Sequence, residues 1–226
     1  MCGRFVQFSS LRTLEKYFDF RAAPGEIAPN YNIAPTQKVL AIVQQAEYRL
    51  ETLHWGLVPS WAKNLSGASR LINARAETVA TKPSFRAAFK RRRCLILADG
   101  FYEWRAEKGN KQPWYLKLPE DQPFAFAGLW EIWKGKDSSQ TQDDYKSCTI
   151  ITTEASDSVR DIHHRMPVIL QPEAYSIWLA PDKQDIQQLE SILDTKHIRE
   201  LKCYPVSKHV NKIQNNSPSN IEPQDG

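Results

Sequence analysis

Short runs of apolar and β-branched residues, separated by polar turns, dominate the hydrophobic pattern of this chain. KVLAIVQ (38–44) and EYRLETLHWGLVP (47–59) have the form of a strand pair. CLILA (94–98) is apolar without alternation, as in a strand buried on both faces, and DGFYEW continues from its end. QPWYLKL, FAFAGLWEIW, SCTIITTEAS and IHHRMPVIL supply further strands. Helical spacing is rarer. LRTLEKYFDF (11–20) places Leu11, Leu14, Tyr17 and Phe18 on one face, and TKPSFRAAFKRRR is capped by Thr81 and Pro83 with Phe85 and Phe89 four apart. PEAYSIWLA and KQDIQQLESIL read as short helices, and LKCYPVSKHVNKI as strand or loop.

Pro24 to Pro35 reads as ordered loop and KGKDSSQTQDDYK as an exposed one. Gly and Asn within SWAKNLSGASRLINARAET argue against one long helix. Many strands, few helices and no regular βαβ spacing predict an α+β fold with a mainly antiparallel, barrel-like sheet core and short flanking helices. The expected boundaries are one domain over residues 2–214 and a flexible tail over 215–226.

Composition narrows the class. The 226 residues are 41% hydrophobic with seven Trp, eight Tyr and nine Phe, which belongs to a folded protein. The net charge of +4 permits nucleic-acid binding without demanding it. The four cysteines show no CxxC grouping, and no apolar run approaches the roughly 20 residues that span a bilayer. A reducing, cytoplasmic location without membrane contact is expected, with free thiols and no metal or cofactor site.

Candidate chemistry begins at MCGRF. Once Met1 is removed, Cys2 carries an α-amine and a thiol on adjacent carbons. Such an aminothiol condenses with an aldehyde through nitrogen and closes a thiazolidine ring through sulfur. Read alone, Cys2 is equally a small residue after Met1 or a buried apolar cysteine. Glu103, between Tyr102 and Trp104 at the end of a buried strand, suits acid–base work, with an exposed turn carboxylate as the bland alternative. Asp99 reads as a turn or cap residue. His163 and His164 precede Arg165, and neighbours on a strand face opposite ways, so the two rings are not expected to share a metal. One histidine turned inward suits proton transfer.

Asn73, Arg75 and Glu77 alternate in INARAET and form a polar floor if extended, or else an internally paired network. Trp61 is a ligand-facing candidate for base stacking, Trp55 equally core or platform, and Arg91, Arg92 and Arg93 a solvated helix end. A Cys/His hydrolase using Cys2 and His163 and a noncovalent nucleic-acid-binding module remain alternatives.

The ordered series MCGRF, NYNIAPT, WGLVPSWA, INARAET, DGFYEW, GLWEIW, ITTEAS, IHHRMPVIL and YPVSKHVN resembles the SOS response-associated peptidase (SRAP) family of abasic-site-processing proteins from Cys2 to about Asn211. The resemblance implies a monomeric DNA-damage protein, at the nucleoid if bacterial, that binds single-stranded DNA. It also implies a thiazolidine crosslink to abasic sites, with secondary lyase and self-reversal activities, and the family's older label supposes an autoprocessing peptidase role. Carried over, Cys2 is the nucleophile, Asn73 positions the sugar, Glu103 transfers protons and His163 assists ring opening. Arg4 and Arg75 fall to DNA phosphates and Thr152 lines the site, while Arg165 is a candidate phosphate contact from its place beside the histidines.

Overall fold

The computed structural model describes residues 2–21, 27–107, 109–135, 144–182, 185–194 and 200–224. Five strands close a barrel. β3 (Lys38–Gln44) and β4 (Tyr48–Trp55) form an antiparallel hairpin, and β6 (Arg93–Ala98) pairs with the other side of β3. β9 (Phe124–Trp133) lies antiparallel to β6 and to β10 (Tyr145–Glu154), and β10 returns to β4 in a short parallel contact, Ser147↔His54 and Cys148↔Trp55. Beyond that contact β10 takes two new partners, the parallel β5 (Asn73–Arg75) and the antiparallel β11 (Arg165–Pro167). The second sheet runs β12 (Lys202–Pro205), β8 (Asn110–Lys117), β7 (Gly100–Glu107), β1 (Phe5–Gln7) and β2 (Asn30–Ile33). The expected α+β, mainly antiparallel, barrel-like architecture is the one observed.

Both faces of the barrel wall are covered, which explains the unbroken apolar run of β6. Cys94, Ile96 and Ala98 join a core shared with Cys2, Phe5, Phe101 and Leu116 of the second sheet, while Leu95 and Leu97 join an outer layer with Phe85, Phe89 and Trp178. Gly56 turns the chain out of the barrel at φ 137°, where a Cβ would lie 2.5 Å from the Ala68 carbonyl oxygen. Among the described residues no helix is long and apolar enough to cross a membrane.

The helices are shorter than the periodicity predicts. α1 covers only Leu11–Leu14, with the Ser10 hydroxyl accepting from the Thr13 N–H at 3.2 Å. α2 is Arg86–Arg91, because the capped start at Thr81 opens a turn instead. α3 (Asp157–Arg160), α4 (Tyr175–Leu179) and α5 (Ile186–Ile192) complete the set. NYNI, read as loop, is β2, and most of KGKDSSQTQDDYK, residues 136–143, lies outside the described residues.

Two further expectations are corrected. Arg93 is not a solvated helix end: its buried guanidinium donates to the carbonyls of Phe89 and Lys90 at the end of α2 and of Trp178 and Ala180 at the end of α4. Burial lowers its pKa to about 10. The segment from Asn215 to Gln224 is docked rather than frayed. Asn216 Oδ1 accepts from the Tyr31 N–H at 2.7 Å, Val206 bridges to Pro223, and Asn220 is fully buried. Side-chain amides hold it together with Ile221, which packs against the cluster of Val6, Tyr102, Tyr115, Val206 and Val210, so its mostly polar composition imitates a tail.

Candidate active site

β1 lies between β2 and β7, in register Phe5↔Phe101 and Val6↔Gly100, and the Tyr102 N–H donates to the Arg4 carbonyl at 2.9 Å. Continuing that register sets Gly3 opposite Glu103 and brings Cys2 beside the carboxyl group, whose charge acts on the thiol. From the other side, Asn73 Nδ2 donates to the Cys2 carbonyl at 2.8 Å, and Asn73 is fixed by the parallel pairing of β5 with Ile150. Cys2 is thus held between the two sheets, with no exposed surface. Asn73 Oδ1 is buried and has no hydrogen-bond partner among the described residues, which leaves an acceptor for a ligand hydroxyl.

Burial pushes the Cys2 thiol well above its usual range, reinforced by Glu103. Burial likewise raises Glu103 to about 7, against the opposing pull of His164 and the Trp104 N–H. A carboxyl poised there both gives and takes a proton near neutral pH. His163 is shifted down, mainly by burial, with Lys111 and Arg165 adding to the shift. Its Nδ1 lies 3.0 Å from the Arg165 N–H and 2.9 Å from the Arg165 carbonyl oxygen. The N–H suits the neutral Nε2–H tautomer and the carbonyl suits Nδ1–H, in the other neutral tautomer or in imidazolium, so one backbone residue receives either protonation state. The two histidines do not face opposite ways. They lie ahead of β11 rather than within it, and their rings stack with centroids 4.4 Å apart.

The expected DNA contacts fall into different settings. Arg4 Nη1 donates to Asn32 Oδ1 at 2.6 Å and the Val210 carbonyl at 2.8 Å, and its guanidinium lies 5.8 Å from the Trp104 ring centroid. Arg75 is exposed on β5 opposite Thr152. Arg165 grips Glu77 with two bonds of 2.6 and 3.1 Å and reaches the Thr152 carbonyl at 2.7 Å, so Glu77 leaves the supposed floor and pairs instead. Thr152 is fully buried. Trp61 is 66% exposed, whereas Trp55 is core. Trp61 sits apart from Cys2: its neighbour Ala62 accepts from Trp133 Nε1, and Trp133 pairs with Tyr145, about 16 Å along β10 from Ile150. Asp99 accepts from the Phe8 and Ser9 N–H groups, as a turn residue should. Among the described residues no three His, Cys, Asp or Glu side chains are grouped to hold a metal.

The profile of the SOS response associated peptidase (SRAP) family matches residues 1–213. The chain belongs to that family. Full-length SRAP relatives include the abasic site processing protein YoqW of Bacillus subtilis, 43% identical over 98% of this chain and 99% of its own. The abasic site processing protein YedK of Escherichia coli is 31% identical, covering 99% of this chain and all of its own. A crystal structure from Bacteroides thetaiotaomicron superposes with a TM-score of 0.85 at 24% identity over 99% of this chain and 100% of that one, a likeness of fold. The SRAP chain also carries residues that its local sequence did not single out. Asn32, Lys111 and Trp104 reach the site's surroundings, and of these Asn32 was visible only as part of NYNIAPT.

Proposed function

We propose that this chain processes abasic sites: it binds single-stranded DNA and crosslinks Cys2, freed of Met1, to the aldehyde of the opened sugar. The observation that carries the reading is the clamping of Cys2 between Asn73 and a Glu103 raised to about 7. The relatives named as abasic site processing proteins agree with it.

In the proposed sequence the Cys2 α-amine adds to the aldehyde carbon and gives a hemiaminal. Protonated Glu103 donates to the hemiaminal hydroxyl, which leaves as water, and the imine forms. The Glu103 carboxylate then takes the thiol proton as sulfur adds to the carbon of the protonated imine, and the nitrogen keeps its hydrogen as the neutral secondary amine of the thiazolidine. This shuttle overcomes the raised thiol pKa, since sulfur loses its proton only as the new bond forms. Neutral His163 assists opening of the sugar ring, and Asn73 Oδ1 receives a sugar hydroxyl. Arg4 and Arg75 hold phosphates, Thr152 lines the site, and Trp61 stacks a base farther along the strand. The reading places the protein on DNA in the cytoplasm, with residue 2 through the docked segment ending at Gln224 as one functional domain.

The test is incubation of chain lacking Met1 with an abasic oligonucleotide, followed by denaturing electrophoresis and intact-mass analysis. An adduct of summed mass less one water is expected, lost in Cys2→Ala and slowed ~100-fold or more in Glu103→Gln. A chain that turns over peptides but leaves the oligonucleotide unmodified would be a peptidase instead.

A further inference from the structure

Among the described residues Arg4 is a half-buried cation without an acidic partner. Its Nη1 bonds go to neutral oxygens, burial lowers its pKa, and among the described residues no carboxylate contributes to that shift. One of those oxygens, Asn32 Oδ1, has its orientation set from elsewhere. Asn32 is 1% exposed, and its Nδ2 donates to the carbonyls of Val210 at 3.2 Å, Lys212 at 3.0 Å and Asn215 at 2.7 Å. Turning the amide over would set its oxygen against three carbonyl oxygens and its nitrogen against a guanidinium. Oδ1 therefore has to face Arg4.

The same segment fixes the ring beneath Arg4, since Asn211 Oδ1 accepts from Trp104 Nε1 at 2.8 Å. It is locked in turn by Asn220, whose Nδ2 donates to the Asn215 carbonyl at 2.6 Å, and by the Gln224 N–H, which donates to the Pro205 carbonyl at 2.9 Å. Residues 208–224 thus close over β2 and meet the side chains that flank Cys2.

We infer that Asn32, oriented by the C-terminal segment 208–224, is a positioning residue that holds Arg4 with neutral oxygens only and leaves its charge for a DNA phosphate. This rests on the DNA-binding reading of the site. An aspartate at position 32 would keep the shape, supply a carboxylate to Arg4 and remove the donors that the three carbonyls require.

The experiment is equilibrium binding of the full chain to an unmodified oligothymidylate over a range of salt concentrations, so that crosslinking does not enter. Asn32→Asp should bind on the order of tenfold more weakly and flatten the log K against log salt slope by about 0.7, the signature of one lost phosphate contact. Arg4→Gln should do the same, and the double variant should lose no more than either alone. Asn32→Ser, which leaves Arg4 charged but unanchored, should lower affinity a few-fold with the slope retained, and it carries the test if Asn32→Asp does not fold by circular dichroism. Unchanged affinity in folded Asn32→Asp or Asn32→Ser, or losses that add to Arg4→Gln, would overturn the inference alone. Failure of the unsubstituted chain to bind overturns the DNA-binding reading with it.

Discussion

Arg4 and Arg165 lie beside strands of the two different sheets, and the fold treats their charges in opposite ways. Arg165 on β11 is neutralised by a two-bond grip on Glu77, while among the described residues Arg4 beside β1 donates only to an amide and a carbonyl oxygen. The acids differ too. Arg165 holds Glu77 below the usual carboxylate range, whereas burial raises Glu103. One side of the site is therefore a settled ion pair and the other keeps a free cation and a carboxyl near its midpoint. Charge count alone would have ranked the two arginines as equals.

The largest expected effect separates the two acids by pH. Glu103 has a raised folded-state pKa, so its contribution to stability is full at low pH and is lost as pH rises through about 7. Glu103→Gln should stabilise the fold at pH 8, on the order of 1–3 kcal/mol, and give no gain at pH 4, as measured by thermal melting. Crosslinking by the unsubstituted chain should decline above pH 7 and lose that limb in Glu103→Gln. A melting difference independent of pH would mean that Glu103 is not perturbed as described.

Removing the free cation comes next. Arg4→Gln should weaken oligonucleotide binding on the order of tenfold, whereas Arg165→Gln should change it by less than about threefold, because that charge is already compensated. Equal losses would erase the distinction. Smaller still, and opposite in sign, is the effect of releasing Arg165: Glu77→Gln should raise affinity about threefold and steepen the salt slope by about 0.7. Glu77 is partly exposed, so the same change should cost at most about 0.5 kcal/mol of stability at pH 7. That cost should vanish at acid pH, since a depressed carboxylate pKa contributes stability that is lost as pH falls through it.

What the sequence disclosed follows the range of each interaction. Strands β3, β4, β6, β9 and β10 were legible because apolar runs between turns are local signals, and the motif series led to Cys2, Asn73, Glu103 and His163. Pairings across long stretches of chain had no local trace. Glu77 with Arg165, Asn32 with the C-terminal carbonyls, and Arg93 with the end of α4 each join a polar residue to a distant one. Polar composition was read as solvent exposure at Arg93 and Asn220, and in both cases hydrogen bonds to backbone carbonyls make burial tolerable. The helices were overestimated because LRTLEKYFDF and TKPSFRAAFK have helical spacing, yet turns end or delay both.

The burial of Cys2 between β1, β7 and β5 also imposes an order of events during synthesis. Both strand partners lie far downstream, at residues 73–75 and 100–107, so a nascent chain presents its first residues to solvent until those segments leave the ribosome. At about 5–20 residues per second, synthesis of the roughly 100 residues that complete both partners takes about 5–20 s, and through that interval the first residues stay open to solvent.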